Sequence, residues 1–233
     1  MEWITVPEKG FTLREVRTLT NRNVNLSEEL EKSVSAILEK VRDGGDAAIR
    51  ELTKKFDGVE LSDFRVTEEE MQEALAQVTP EFLEVLKEAK ANIETFHKEQ
   101  VRKSWTKNFR DGVELGEQFL PIQRVGVYVP GGRAAYPSTV LMDTVPALVA
   151  GCPSVAMTTP PGKDGKVNPN ILAAAYVAGV KEIYKVGGAQ GIAMLAYGTE
   201  SVEPVFKIVG PGNAFVAMAK RLVFGTVGID MIA

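Results

Sequence analysis

Three short apolar segments of this 233-residue chain end in glycine and then turn into a helix-like pattern, at residues 125–132, 183–191 and 205–213. A buried parallel strand that ends in glycine lets the backbone bend sharply and lets a ligand approach it closely. A helix that begins there points unpaired N–H groups at the same place, which suits an anion such as a pyrophosphate. The pattern predicts a nucleotide crevice at the carboxyl edge of a sheet, although strand-to-helix turns also use glycine where nothing binds.

The last of these segments almost spells a dinucleotide-binding fingerprint. Residues 210–215 read Gly-Pro-Gly-Asn-Ala-Phe, and Asp230 follows further along the chain. Phe215 stands where the fingerprint has its third glycine and would obstruct close helix–strand packing, while Pro211 removes an N–H group. We therefore do not expect an ordinary Rossmann phosphate loop here. Asn213 can still cap the following helix or hydrogen-bond a ligand through its amide.

The chain is poor in the side chains that most often hold metals and move protons, with His97 its one histidine and Cys152 its one cysteine. A zinc site needs about four ligands, drawn mostly from cysteine, histidine and acidic residues. General acid–base chemistry near neutral pH also relies most often on histidine. We therefore assign no metal ligand and no catalytic residue. His97 is interpreted as a surface or interface group, and Cys152 as a small buried residue without a histidine nearby in sequence to activate its thiol.

Composition excludes several classes of protein. The net charge of −4 and the pI near 5.3 argue against general nucleic-acid binding. The longest apolar runs are interrupted by Pro146, Gly151 and Pro153, so no membrane span is expected. The N-terminus lacks the layout of a signal peptide, and one cysteine fits a reducing compartment, so the predicted location is the cytoplasm.

Helical patterns dominate the first half of the chain. An amphipathic helix is expected from Asn25 to the Gly44-Gly45 pair, and a shorter one over 47–56. Thr67 begins a capping box, and Pro80 opens a long helix. The predicted buried stripe of that long helix is Phe82, Leu86, Ala89, Ile93 and Phe96. A hairpin turn is expected at Asp111-Gly112.

From Arg124 the chain alternates between strand and helix patterns, which predicts a parallel sheet. The expected strands are 125–129, 154–158, 182–186 and 204–209, with another beginning at 227. The expected helices are 137–150, 169–179, 190–197 and 213–223. The predicted fold class is α/β: a helical N-terminal region with the first strands over residues 1–120, followed by a Rossmann-like domain over 121–233.

Six segments, taken in order and spacing, resemble the histidinol dehydrogenase family. They are the glycine-rich stretches at 126–132, 186–191 and 210–213, the Lys-Lys-Phe-Asp-Gly run at 54–58, the helix end at 93–100, and 137–142. The resemblance covers essentially the whole chain. It implies a zinc-dependent, NAD-linked dehydrogenase that ends histidine biosynthesis by oxidising L-histidinol through the aldehyde to L-histidine.

The resemblance also implies which residues contact the cofactor. Tyr128, Gln190 and Asn213 match family residues that contact NAD, and they follow the three glycine-rich strand ends. An aromatic face suits a ring, and two amides can donate to and accept from ribose or amide groups. The alternatives are a half-buried strand aromatic for Tyr128 and helix capping for Gln190 and Asn213.

The family's next motif begins Ile-Asp-x-x-Ala, and residues 229–233 spell that beginning. The resemblance places the zinc ligands, the Glu-His catalytic pair and most histidinol contacts beyond it. We therefore expect the N-terminal part of a histidinol dehydrogenase, inactive by itself. Two other hypotheses stay open: a complete non-catalytic nucleotide-binding module, and a half-protein that assembles with a partner chain or with itself through a free sheet edge. The resemblance suggests a dimer, so a homo-oligomer is also left open.

Overall fold

The computed structural model describes residues 9–13, 15–16, 28–131 and 135–231. Gly132, the expected helix start at Asn25 and the final Ile232-Ala233 lie outside the described residues. The helices are α1 (Glu28–Asp57), α2 (Glu68–Leu75), α3 (Pro80–Lys98), α4 (Pro137–Val149), α5 (Pro169–Ala178), α6 (Gly188–Tyr197) and α7 (Ala214–Val223). The strands are β1 (Trp105–Arg110), β2 (Val113–Glu117), β3 (Arg124–Tyr128), β4 (Ser154–Thr158), β5 (Glu182–Tyr184), β6 (Lys207–Val209) and β7 (Gly228–Ile229).

The expected break between the first two helices is a kink inside α1. Gly45 has a non-helical backbone, with φ of 50° and ψ of −134°. The N–H of Asp46 donates to the Glu200 carboxylate at 2.7 Å, and the Ser201 hydroxyl donates to the Asp46 carboxylate at 3.0 Å. The predicted break is therefore confirmed, but the two halves continue as one bent element tied to the turn after α6.

The capping signals of the next two helices are confirmed. The Thr67 hydroxyl accepts from the N–H of Glu70, whose carboxylate accepts in return from the N–H of Thr67. Pro80 begins α3 after a Thr79 cap. The predicted stripe of α3 is wrong at its end, because Phe96 is 65% exposed.

The predicted hairpin is also confirmed. Strands β1 and β2 pair antiparallel around Gly112, whose φ is 74°. The side chains of β1 are exposed on both faces. None of the helices in the described part of the chain has the length and hydrophobicity needed to cross a membrane.

The remaining strands form one sheet in the order β5-β4-β3-β6-β7, and every neighbouring pair is parallel. At its centre, Val127 of β3 lies opposite Met157 of β4 and Val209 of β6. Both β5 and β6 are shorter than predicted. A neighbouring segment explains why β5 ends early. The N–H of Lys185 donates to Phe64 O at 2.7 Å, so the chain after β5 pairs with the segment that covers this edge of the sheet.

Two apolar cores cover the two faces of the sheet. Gly126 and Tyr128 of β3 face one side, and Val125 and Val127 face the other, as the alternation of a strand requires. The first core packs α1 against α6 and α7, and the second packs α2 and α3 against α4 and α5. Each core therefore combines helices from both sides of residue 120. The domain boundary placed there stays a prediction.

Candidate cofactor site

The strand order reverses beside β3. From β3 the chain proceeds to β4 and β5 on one side, and then crosses to β6 and β7 on the other. The loops after β3 and β6 therefore leave the sheet in opposite directions, which is the arrangement in which a ligand crevice is expected at the carboxyl edge. Tyr128 is the last residue of β3, and Gly210 follows β6 directly. The topology thus has its switch point between these two residues, where the sequence predicted a crevice; the crevice itself stays a prediction.

Backbone contact between the two loops is close. Gly210 has φ of +113°, and a Cβ built on it would lie 2.1 Å from Tyr128 O. Only glycine fits there, both because of its backbone angle and because of the neighbouring carbonyl. The other strand-end glycines are also explained by packing: a Cβ on Gly131 or on Gly187 would meet the Pro160 ring at 2.5 Å. The glycines thus bring the strand ends together, and internal packing accounts for them.

Tyr128 is buried, with 4% of its surface exposed. Its hydroxyl accepts a hydrogen bond from the N–H of Gly188 at 3.0 Å. Burial raises the pKa of this phenol to about 12, against the opposing effect of that hydrogen bond. The side chain caps the first turn of α6, which its own N-cap residue, Gly187, cannot do without a side chain.

Gln190 lies in the same turn of α6 and is 2% exposed. Its Oε1 lies so near Gly188 that a Cβ built there would be 2.7 Å away. The side chain therefore folds back onto the helix start that Tyr128 caps. The structure brings these two predicted cofactor contacts together at one end of α6.

Asn213 is exposed and serves as the N-cap of α7. Its side-chain carbonyl accepts from Phe215 N at 3.0 Å and from Val216 N at 3.1 Å. The capping alternative is therefore correct for Asn213. It leaves room for a second role, because the Nδ2 of the same amide is a donor that capping does not use.

Several buried oxygens near this edge have no hydrogen-bond partner among the described residues. They include Asp57 Oδ2, Asp143 Oδ2 and Thr159 Oγ1. Thr159 directly follows β4, and the charge of Asp57 acts on the pKa of Tyr128. Burial raises the pKa of the Asp57 and Asp143 carboxyls to about 6 in each case. Such oxygens are costly unless something pairs with them.

Sequence reasoning missed Asp57 and Lys220. Asp57 lies in the Lys-Lys-Phe-Asp-Gly run that carried part of the family resemblance, but spacing alone gave it no role. Lys220 is fully buried on α7 and forms an ion pair with Asp230 beneath the Gly210 loop. Its position in an apolar helix face gave no signal of that contact.

The two rare side chains lie away from the crevice. His97 shares a hydrogen bond with Gln100 at 2.6 Å and contacts the Phe96 ring edge-on. Cys152 is buried, and burial raises the pKa of its thiol, which is the opposite of activation. Its interpretation as a small buried residue is confirmed. Among the described residues, no three histidine, cysteine or acidic side chains come together in a way that could hold a metal ion.

The strand order and the crevice beside β3 define a doubly wound, Rossmann-like α/β protein with a candidate nucleotide site. The family model for histidinol dehydrogenase matches residues 20–233, and the chain belongs to that family.

Similar proteins and a similar solved structure are also histidinol dehydrogenases. The histidinol dehydrogenase of Geobacillus kaustophilus is 56% identical over 207 residues, which cover 89% of this chain and 49% of the relative. That of Listeria monocytogenes is 52% identical over 221 residues, 95% of this chain and 51% of the relative. The crystal structure of histidinol dehydrogenase from Elizabethkingia anophelis superposes with a TM-score of 0.88 at 39% identity, covering 96% of this chain and 52% of that one. The chain spans about half the length of these relatives.

Proposed function

We propose that this chain is the NAD-binding part of a histidinol dehydrogenase, which oxidises L-histidinol to L-histidine in histidine biosynthesis. Membership of the family supports the reaction. The observation that carries the cofactor assignment is the switch point of the sheet between the ends of β3 and β6. In this proposal, Asn213 and the Tyr128–Gln190 pair lie around the same crevice. The cytoplasmic location, a homo-oligomeric state and the histidinol substrate belong to the same proposal.

The polar groups at the carboxyl edge fit a dinucleotide. Asn213 Nδ2 can donate to a phosphate or carboxamide oxygen. When bound, NAD supplies the hydride acceptor of the oxidation. The role of this chain's residues is to bind the dinucleotide and orient it.

Zinc does not fit the donor set of the described residues, so we derive no step through it. We propose that the 233 residues on their own bind NAD without turning over histidinol. The family resemblance, which assigns the zinc ligands and the Glu-His catalytic pair to the region after the motif at 229–233, supports this proposal.

The first test replaces Gln190 and Asn213 with alanine and measures NAD affinity by calorimetry. We expect the dissociation constant to rise at least about tenfold, equivalent to about 1.4 kcal/mol. Thr79→Ala is the matched control, because it removes the N-cap of α3, a helix without a predicted cofactor contact. An affinity unchanged in the double variant would remove both residues from the site.

A second variant separates capping from binding at Asn213. Asn213→Asp keeps an oxygen that can accept from Phe215 N and Val216 N, but it replaces the free donor with negative charge. We expect a melting temperature close to that of the unaltered chain together with weaker NAD binding. Equal NAD affinity would mean that Asn213 is only a cap.

A further inference from the structure

An ion pair between a buried lysine and a partly exposed aspartate lies directly beneath the Gly210 loop. Lys220 on α7 is 0% exposed, and its ammonium bonds with the Asp230 carboxylate that follows β7. The same ammonium donates to Gly210 O at 2.8 Å. The other oxygen of Asp230 accepts from Gly210 N at 3.0 Å. The N–H and the C=O of this one glycine are therefore bound by the two partners of one ion pair.

The anchored residue is the one on which the crevice depends. Gly210 is held at φ of +113° with its Cα against Tyr128 O. Three residues later, Asn213 begins α7, which also carries Lys220. The pair thus connects the ends of β6 and β7 to the last turn of α7. Movement of Gly210 would change both the distance between the two loops and the direction in which Asn213 faces.

A need for stability alone does not explain the pair. Removing the Lys220 ammonium from water is costly, and well-packed apolar side chains often hold elements together as well or better. What an ion pair adds is fixed hydrogen-bond geometry at particular atoms. Burial raises the pKa of Asp230, but the bonds from Lys220 and from Gly210 N–H prevail and hold it below its ordinary value. The carboxylate stays charged where it accepts from the loop.

We propose that Lys220 and Asp230 are positioning residues for the cofactor, which hold the segment 210–213 in the conformation that binds the dinucleotide. This inference rests on the proposed function, since it assigns the pair a role in NAD binding. Neither residue needs to touch the cofactor. Their effect passes through the peptide groups of Gly210.

The decisive variant is the double replacement Lys220→Met with Asp230→Leu. It removes both charges together, so no buried charge is left unpaired, and apolar side chains fill the space. We expect a folded chain whose NAD dissociation constant is at least tenfold higher. We also expect faster hydrogen exchange in the peptide that contains Gly210. Asp230→Asn keeps an acceptor oxygen for Gly210 N and should recover part of the affinity.

Glu182→Gln is the matched control. It weakens a second, partly buried ion pair of the same sheet, in which Glu182 accepts from Arg124 at the amino end of β3. We expect it to lower the melting temperature without changing NAD affinity or exchange at Gly210. If affinity in the two variants simply follows melting temperature, the pair is structural and the inference is wrong.

Different results would overturn the proposed NAD binding and the proposed positioning role of Lys220 and Asp230. If the unaltered chain does not bind NAD, the proposed function is overturned and the role in cofactor binding with it. If the unaltered chain binds NAD and the folded Lys220→Met, Asp230→Leu variant binds it within about twofold, only the positioning role is overturned.

Discussion

The Tyr128 hydroxyl accepts the hydrogen bond of Gly188 N–H at 3.0 Å, so a side chain of the central strand caps a helix that follows a different strand. Gly187, the N-cap of α6, could not supply that oxygen. The contact joins two of the three strand ends that were expected to bind the cofactor. It makes the geometry of the crevice depend on Tyr128 even though the ring is buried.

Replacing Tyr128 with phenylalanine should therefore lower stability. The ring still fills its place in the core, but Gly188 N–H loses its acceptor, and a buried unpaired donor costs about 1–3 kcal/mol. Urea unfolding at neutral pH measures the loss. Tyr176→Phe, at a residue 54% exposed, is the control and should leave the free energy of unfolding unchanged. Equal stability of Tyr128→Phe and the unaltered chain would show that water replaces the phenol at the helix start.

Gly210→Ala should prevent the loop after β6 from packing against the end of β3. The new Cβ would lie 2.1 Å from Tyr128 O, a backbone atom, and the residue would also occupy φ of +113°. Gly112→Ala is the comparison, because Gly112 has φ of +74° and nothing within 4 Å of a built Cβ. The hairpin variant should lose only about 1–2 kcal/mol to backbone strain. Thermal melts compare the two, and a Gly210→Ala chain as stable as Gly112→Ala would contradict the close approach of the loops.

Asp57 should make stability fall as pH rises. Burial raises the pKa of its carboxyl from 3.8 to about 6 in the folded chain. Between these values the folded state binds the proton more readily than the unfolded state, so the free energy of unfolding contributed by Asp57 decreases with pH across that window. Asp57→Asn removes the dependence. Its melting temperature should exceed that of the unaltered chain by about 2 °C at pH 7, allowing for partial solvent exposure.

The two chains should melt alike near pH 4, where the carboxyl of Asp57 is largely protonated in the folded state. Melting curves of both chains at pH 4 and pH 7 measure this, and the difference in melting temperature at pH 4 is the reference for the difference at pH 7. A difference that is the same at both pH values would mean that the substitution acts through packing and not through charge.

Local patterns predicted the elements well, because their signals are local. Gly45 marked the break in α1, Thr67 and Pro80 marked helix starts, and the alternation after Arg124 predicted the parallel sheet. The predictions are wrong where tertiary contacts override the local pattern. Phe96 follows the helical period of a buried stripe, yet lies exposed near the end of α3.

The candidate site was predictable only in part. Strand ends with glycine indicated the crevice, since carboxyl ends of parallel strands share an edge. Spacing could not show that Tyr128 turns inward to cap α6, because that bond joins residues sixty positions apart. Nor could it show the Lys220–Asp230 pair, whose partners come from a helix and from the strand beyond it. Asp230 stood out as part of a fingerprint that Phe215 contradicts and as part of the family motif at 229–233, and neither pattern indicated its contact with Lys220.

The most direct test of the account is a calorimetric titration of NAD into the purified 233-residue chain, with histidinol turnover measured in the presence of zinc as a control. The account predicts saturable binding without turnover. Absence of binding in a folded chain would contradict it, because the crevice described here would then be insufficient to hold the cofactor. Turnover of histidinol would contradict the proposal that these residues lack the catalytic groups.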